Sequence, residues 1–256
     1  MGIEMGETTK DARSHIVPFA VWLGAMILLQ VADGEFGLSR IWHPAVYAAK
    51  SVVCALLFLM LKPWRGYGRP TARTLAHGVW VGVLVCALWI FPESRWMHLH
   101  APQLQDFYYR YLVVPFGGLP SYFDAGWFPE PPPGHLSLAY SPAQAGWALT
   151  LMKLAGSGLV IATLEEFFFR GYLYRRFQDA EFESVPLKSF SAVAFFLTVA
   201  IFAMEHDRWL AGAMAGGLYG LLALRTGDIW SCVLAHAVTN TLLGVYTICF
   251  NAYGFW

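Results

Sequence analysis

The chain reads as an all-α integral membrane protein, a polytopic helical bundle of about seven transmembrane helices. Three observations predict this. Of its 256 residues, 57% are hydrophobic and only 13% charged, roughly half the charge of a soluble domain. Mean hydropathy is +0.48, which points to a bilayer rather than one oversized core. The apolar residues also gather into runs of about 17–25, the length that crosses the hydrocarbon layer.

Seven such runs are present: 16–32, 45–61, 75–91, 145–170, 189–206, 209–225 and 229–249. The first follows a polar segment carrying Lys10 and Arg13 and imitates a signal peptide. Gln30, Val31 and Ala32 lead straight into Asp33 and Glu35 with no small-x-small cleavage site, so a retained span is expected. The fourth run carries Glu165, Glu166 and Arg170 in its last third. The sixth sets Gly212, Gly216 and Gly220 four residues apart, a stripe that lets a neighbouring backbone approach closely.

The connections alternate in Lys and Arg content. The N-terminal segment holds Lys10 and Arg13, the first connection only Arg40, the second Lys62, Arg65, Arg69 and Arg73. The third has Arg95 and Arg110 over 92–144, the fourth Arg175, Arg176 and Lys188, the fifth Arg208, the sixth Arg225, and the tail none. This places the N-terminus in the cytoplasm and the C-terminus outside. An eighth span within 92–144 is the alternative, but it breaks the alternation.

That third connection is expected to lie outside the membrane. Trp127-Phe128-Pro129-Glu130-Pro131-Pro132-Pro133-Gly134 cannot be a helix interior. Upstream, Gln103 to Val114 contains Tyr108, Tyr109 and Tyr111, an aromatic cluster suited to the headgroup layer. An interfacial helix followed by a proline-stiffened loop is expected, serving as a surface loop or as a lid. No internal repeat appears, so 1–256 forms one helical domain. Cys54, Cys86, Cys232 and Cys249 sit in or beside apolar runs without CxxC spacing and read as packing residues. With 17 basic and 17 acidic residues, nothing suggests nucleic acid as a partner.

Ionisable groups within spans are costly, so each needs a partner or a role. Glu166 and Arg170 are four apart and can pair on one helical face. Glu165 points about 100° away and lacks such a partner. Lying among Phe167, Phe168 and Phe169, it suits a general base that exchanges a proton near neutrality. His236 and Asn240 also share a face, and two such donors can hold an oxyanion. His206 ends the fifth run with Phe202 one turn before it. Taken singly, these residues also fit ion pairing at a helix end or hydrogen bonding between helices. Counting about 1.5 Å per residue from the basic ends of the runs puts Glu165 and His236 about 17 Å deep and His206 about 27 Å deep.

Glu-Glu-x-x-x-Arg, Phe-x-x-x-His and His-x-x-x-Asn, each on a hydrophobic helix and in this order, resemble the CAAX-protease-like and bacteriocin-processing family of intramembrane endopeptidases. The motif-bearing core spans 151–250, and the chain is similar in outline to a bacterial subgroup associated with exosortase sorting systems. The resemblance implies a bacterial inner-membrane hydrolase acting on a membrane-associated or lipid-modified peptide. It further implies that Glu165 and His206 activate a water while His236 and Asn240 stabilise the oxyanion. Glu166, Arg170 and Phe202 would support the site, and the site's cavity would open to the cytoplasm. Glu, His and His can in principle bind zinc, but His-Glu-x-x-His is missing and Glu205-His206 reverses the required order. No metal and no cofactor is therefore expected. Two other readings remain open at this level: a non-catalytic relative, such as an immunity factor or sorting-system accessory, and a transporter, for which repeated halves are missing.

Overall fold

The computed structural model describes residues 4–113 and 136–256, with side chains from Ala12 onward. Among these residues the chain is helical throughout, with no strand. The helices are α1 (Glu4–Phe36), α2 (Trp42–Leu61), α3 (Ala72–Ile90), the short α4 (Arg95–His100) and α5 (Pro102–Tyr108), the long run α6 (Pro142–Arg176), α7 (Ala192–Met204), α8 (Trp209–Thr226) and α9 (Ile229–Cys249). Each of the seven apolar runs falls on one of them. Five helices, namely α1, α2, α3, α6 and α9, are long and apolar enough to cross a membrane. The protein is thus a polytopic helical membrane protein. Of the other two runs, α8 is diluted by Gly212, Gly216, Gly217 and Gly220. With 13 residues, α7 rises only about 20 Å, short of the roughly 30 Å hydrocarbon layer.

α6 is not uniformly wound. Gly146 takes φ 75° and ψ 157°, which kinks the helix near its start and is open to glycine at little cost. Winding then widens to π geometry at Gly156–Ile161 and again at Phe167–Leu173. Between these stretches lies the short α-helical segment Ala162–Glu166, which carries both glutamates. Departures of this kind cluster at functional sites because they re-aim side chains.

Two small-residue contacts draw the bundle together. α3 lies so close to α9 that a Cβ on Gly78 would sit 2.6 Å from the Ser231 carbonyl oxygen, and one on Gly82 would sit 2.8 Å from Val238 Cβ. The glycine stripe of α8 faces α7, as expected. Gly212 abuts Ala203 and His206, Gly216 abuts Phe202, and Gly220 abuts Phe195. Cys54, Cys86 and Cys232 are buried, Cys249 is exposed, and all four are free thiols.

The two ends of the bundle differ chemically. At the Lys/Arg-rich end, His15 Nε2 meets the Tyr67 hydroxyl at 2.8 Å. Arg175 donates to the carbonyls of Val185 (2.7 Å), Glu183 (2.8 Å) and Gly171 (3.1 Å), tying down the chain that leaves α6. At the opposite end Arg208 clamps Glu93 through two hydrogen bonds, Nη2 to Oε2 at 2.9 Å and Nε to Oε1 at 2.5 Å. Tyr108 donates to the same carboxylate at 3.3 Å. Within the aromatic cluster expected at the interface, Tyr108 and Tyr109 are buried against the protein and Tyr111 is exposed. A buried carboxylate has acceptor capacity beyond one guanidinium, so the tyrosine is drawn inward. The expected helix over Gln103–Val114 is α5 followed by a π-wound turn at Tyr109–Val113. The proline run 127–134 lies outside the described residues.

The α3–α9 contact yields a test. Gly82→Ala should lower the thermal midpoint in detergent, since overpacking a tight contact costs about 1–3 kcal/mol. Gly24→Ala, where an added Cβ meets nothing within 4 Å, should not. Equal midpoints for wild type and Gly82→Ala would contradict the close approach.

Candidate active site

The polar residues singled out in the sequence converge through four helices. At the centre is Glu166, fully buried. Its Oε1 accepts from Arg170 Nη1 at 2.9 Å and from His236 Nδ1 at 2.9 Å. Arg170 reaches on to α8, donating through Nη2 to the Gly216 carbonyl at 2.8 Å. Its guanidinium lies 4.7 Å from the Phe202 ring centre and 5.4 Å from that of Tyr219. One knot therefore joins α6, α8 and α9, with Phe202 of α7 packed on its face. Glu166 and Arg170 pair as their spacing predicts.

His236 is held on three sides. Nδ1 donates to Glu166, the ring stacks on Tyr219 at 5.0 Å, and Phe202 meets it edge-on at 5.8 Å. Tyr219 is in turn fixed by donating to Thr239 Oγ1 at 2.7 Å. The far ring nitrogen, Nε2, lies 3.7 Å from Glu165 Oε2. That separation exceeds a direct hydrogen bond, and Glu165 Oε2 has no hydrogen-bond partner among the described residues. Glu165 and Glu166, adjacent in sequence, thus address the two nitrogens of one imidazole. The equal depth expected for Glu165 and His236 matches this arrangement.

His206 lies just beyond α7. Its Nδ1 meets the Phe202 carbonyl oxygen at 2.8 Å. A carbonyl only accepts, so Nδ1 carries the proton and a neutral His206 presents a bare Nε2. Trp89 packs against the ring at 5.4 Å and Phe202 at 4.9 Å. Phe202 therefore contacts both histidine rings. α7 ends at Met204, and the turn at 205–208 that follows exposes Glu205 and Asp207 while burying Arg208. Asn240 donates one amide hydrogen to the Ser157 carbonyl at 3.0 Å, which leaves its second hydrogen and Oδ1 available.

Glu165, His206, His236 and Asn240 all line one cavity of about 390 Å³. Its opposite wall is the face of α1 that carries Phe19, Trp22, Leu23 and Met26. Gln30, Asp207, Arg208, Phe255 and Trp256 line its far end. These five belong to the end of the bundle away from the Lys/Arg-rich connections, whereas the sequence expectation places the opening toward the basic end. Among the further lining residues are Tyr47 and Lys153, which sequence reasoning did not single out, and Glu205, which it weighed only in connection with zinc. Lys153 carried a usable signal, being an ionisable group inside an apolar run. Among the described residues no group of three His, Cys, Asp or Glu side chains is arranged to hold a metal ion.

Residues 147–242 match the family model described as Type II CAAX prenyl endopeptidase Rce1-like. The match begins beside the Gly146 kink and contains Glu165, Glu166, Arg170, Phe202, His206, His236 and Asn240. The CAAX-protease-like resemblance read from the three motifs is borne out over this segment, and the family is one of endopeptidases. No curated protein and no solved structure matches the chain.

The knot predicts an asymmetry in stability. Arg170→Met leaves the Glu166 carboxylate buried without its cation, which typically costs about 3–5 kcal/mol. The double change Arg170→Met with Glu166→Gln removes both charges and should recover part of the loss. Denaturation in detergent checks this; a double variant less stable than Arg170→Met alone contradicts it.

Proposed function

We propose that the protein is an intramembrane endopeptidase that hydrolyses a membrane-associated or lipid-modified peptide. The single observation that carries this reading is the convergence of Glu165, His206, His236 and Asn240 on one cavity inside a segment matching a CAAX endopeptidase family. Glu165 and His206 share the work of activating a water. Glu165 offers an unpartnered carboxylate oxygen, and His206 offers a bare Nε2 because its Nδ1 proton is committed to Phe202. A water held between such groups needs no covalent intermediate to attack a carbonyl carbon.

His236 and Asn240 receive the oxyanion. The second amide hydrogen of Asn240 suits this role directly. His236 donates from Nε2 only when both nitrogens carry protons, because Nδ1–H is already given to Glu166. The Glu166 carboxylate compensates the imidazolium charge, and Arg170 holds that carboxylate in place. Glu166, Arg170 and Phe202 thus orient the groups that meet the substrate. The site needs no resident cofactor in this scheme. The resemblance puts the protein in a bacterial inner membrane, and the Lys and Arg count orients it with its N-terminus cytoplasmic and its C-terminus outside. The cavity then faces the outer side, so the peptide reaches it from the outer leaflet or laterally past α1.

Purified wild type should be compared with Glu165→Ala, His206→Ala and Asn240→Ala on a lipid-modified peptide that wild type cleaves. Loss of a general base is expected to slow cleavage by about 10²–10⁴-fold, and loss of an oxyanion donor by about 10²–10³-fold. Unchanged cleavage by both Glu165→Ala and His206→Ala would sink the proposal.

A further inference from the structure

Two lysines stand inside the membrane-spanning helices with no anion beside them. Lys50 of α2 is buried, and its Nζ has no hydrogen-bond partner among the described residues. It lies 4.1 Å from the Trp22 ring centre and 4.5 Å from that of Tyr47. Lys153 of α6 also meets Tyr47, 3.9 Å from its ring centre, with Tyr140 at 5.0 Å and Trp256 at 5.9 Å. No ion pair among the described residues involves either ammonium. Aromatic faces offset part of the cost of a cation there, but an ionisable group in hydrocarbon ordinarily answers to a charge or a ligand. The two side chains share the ring of Tyr47, and Lys153 opens onto the same cavity as Glu165.

We propose that Lys153, backed by Lys50, is a subsite for a carboxylate carried by the peptide substrate. This rests on the peptidase reading above and adds what the peptide must carry. Three observations combine. Lys153 lines the cavity, whereas Lys50 is closed off behind Tyr47 and Trp22, so the pair presents one accessible ammonium with a second positive charge behind it. Trp256 and Phe255 from the C-terminal turn line the same region, so a bound anion would be shielded from bulk water, which strengthens its attraction to the lysines. The geometry also sets a register. Lys153 and Glu165 are twelve residues apart on one helix, about 18 Å of rise. A peptide whose cut bond lies at Glu165 therefore reaches Lys153 within about five extended residues. The carboxylate is an Asp or Glu side chain within that distance of the cut bond, or the peptide's own C-terminus.

Three probes separate these sources: an N-palmitoyl dipeptide Ala-Ala with a free C-terminus, its C-terminal amide, and N-palmitoyl Ala-Asp amide. Their dissociation constants are measured on Glu165→Gln protein in nanodiscs, so that binding is read apart from hydrolysis. At least one carboxylate probe should bind about tenfold or more tightly than the uncharged amide. Preference for the first assigns the terminal carboxylate, and preference for the third assigns the side chain. Adding Lys153→Met should abolish that preference, while the thermal midpoint without probe reports that the variant is folded. Equal binding of all three probes overturns the subsite, as does a preference that survives Lys153→Met. Neither result touches the peptidase reading, which falls only if Glu165→Ala and His206→Ala cleave as wild type does.

Discussion

Everything around the site depends on one buried carboxylate. Glu166 is an anion in an apolar bundle, and it is stable there because Arg170 and His236 both donate to a single oxygen. Each partner is committed elsewhere in turn. Arg170 is anchored on the Gly216 carbonyl, and His236 is wedged between Tyr219 and Phe202. In a medium of low dielectric such a network is rigid, since losing any member strands a charge. Three helices are thereby locked in register. The glycines of α8 make the lock possible by letting Phe202 and the Gly216 carbonyl come within reach.

That lock divides labour between two adjacent glutamates. Glu166 spends its charge on structure, whereas Glu165 stands on the cavity side with a free oxygen 3.7 Å from the other nitrogen of the same imidazole. A residue pair differing by one step of about 100° thus yields one buried ion-pair partner and one group lining the cavity. The π-wound stretches on either side of Ala162–Glu166 let α6 aim both side chains without breaking the helix.

The short α7 has the widest consequences for access. It ends after Met204, His206 and His236 both contact the ring of Phe202, and Glu205, His206, Asp207 and Arg208 of the following turn line the cavity. The Glu93–Arg208 clamp closes this turn from the side of α3. The cavity is accordingly polar on its α6–α9 wall and largely apolar on its α1 wall, a division suited to a peptide that carries a hydrophobic anchor.

The membrane class, the seven helical runs, the Glu166–Arg170 pair and the motif residues were all legible in the sequence, because each is a local pattern. Hydropathy runs, four-residue spacing and the glycine stripe need no knowledge of neighbours. Tertiary structure alone decided which glutamate meets which nitrogen of His236, how far His206 stands from it, and at which end the cavity lies. These depend on where α7 stops, on the π winding of α6 and on a clamp between residues 115 positions apart, none of which has a periodic signature. Lys50 and Lys153 were visible as charges within apolar runs, yet their pairing at Tyr47 arises only when α2 and α6 pack together. Composition determined that the chain enters the bilayer. Long-range packing decided what chemistry the buried groups can perform, because a side chain's role in a low-dielectric interior is set by its partners, and those partners lie far away in sequence.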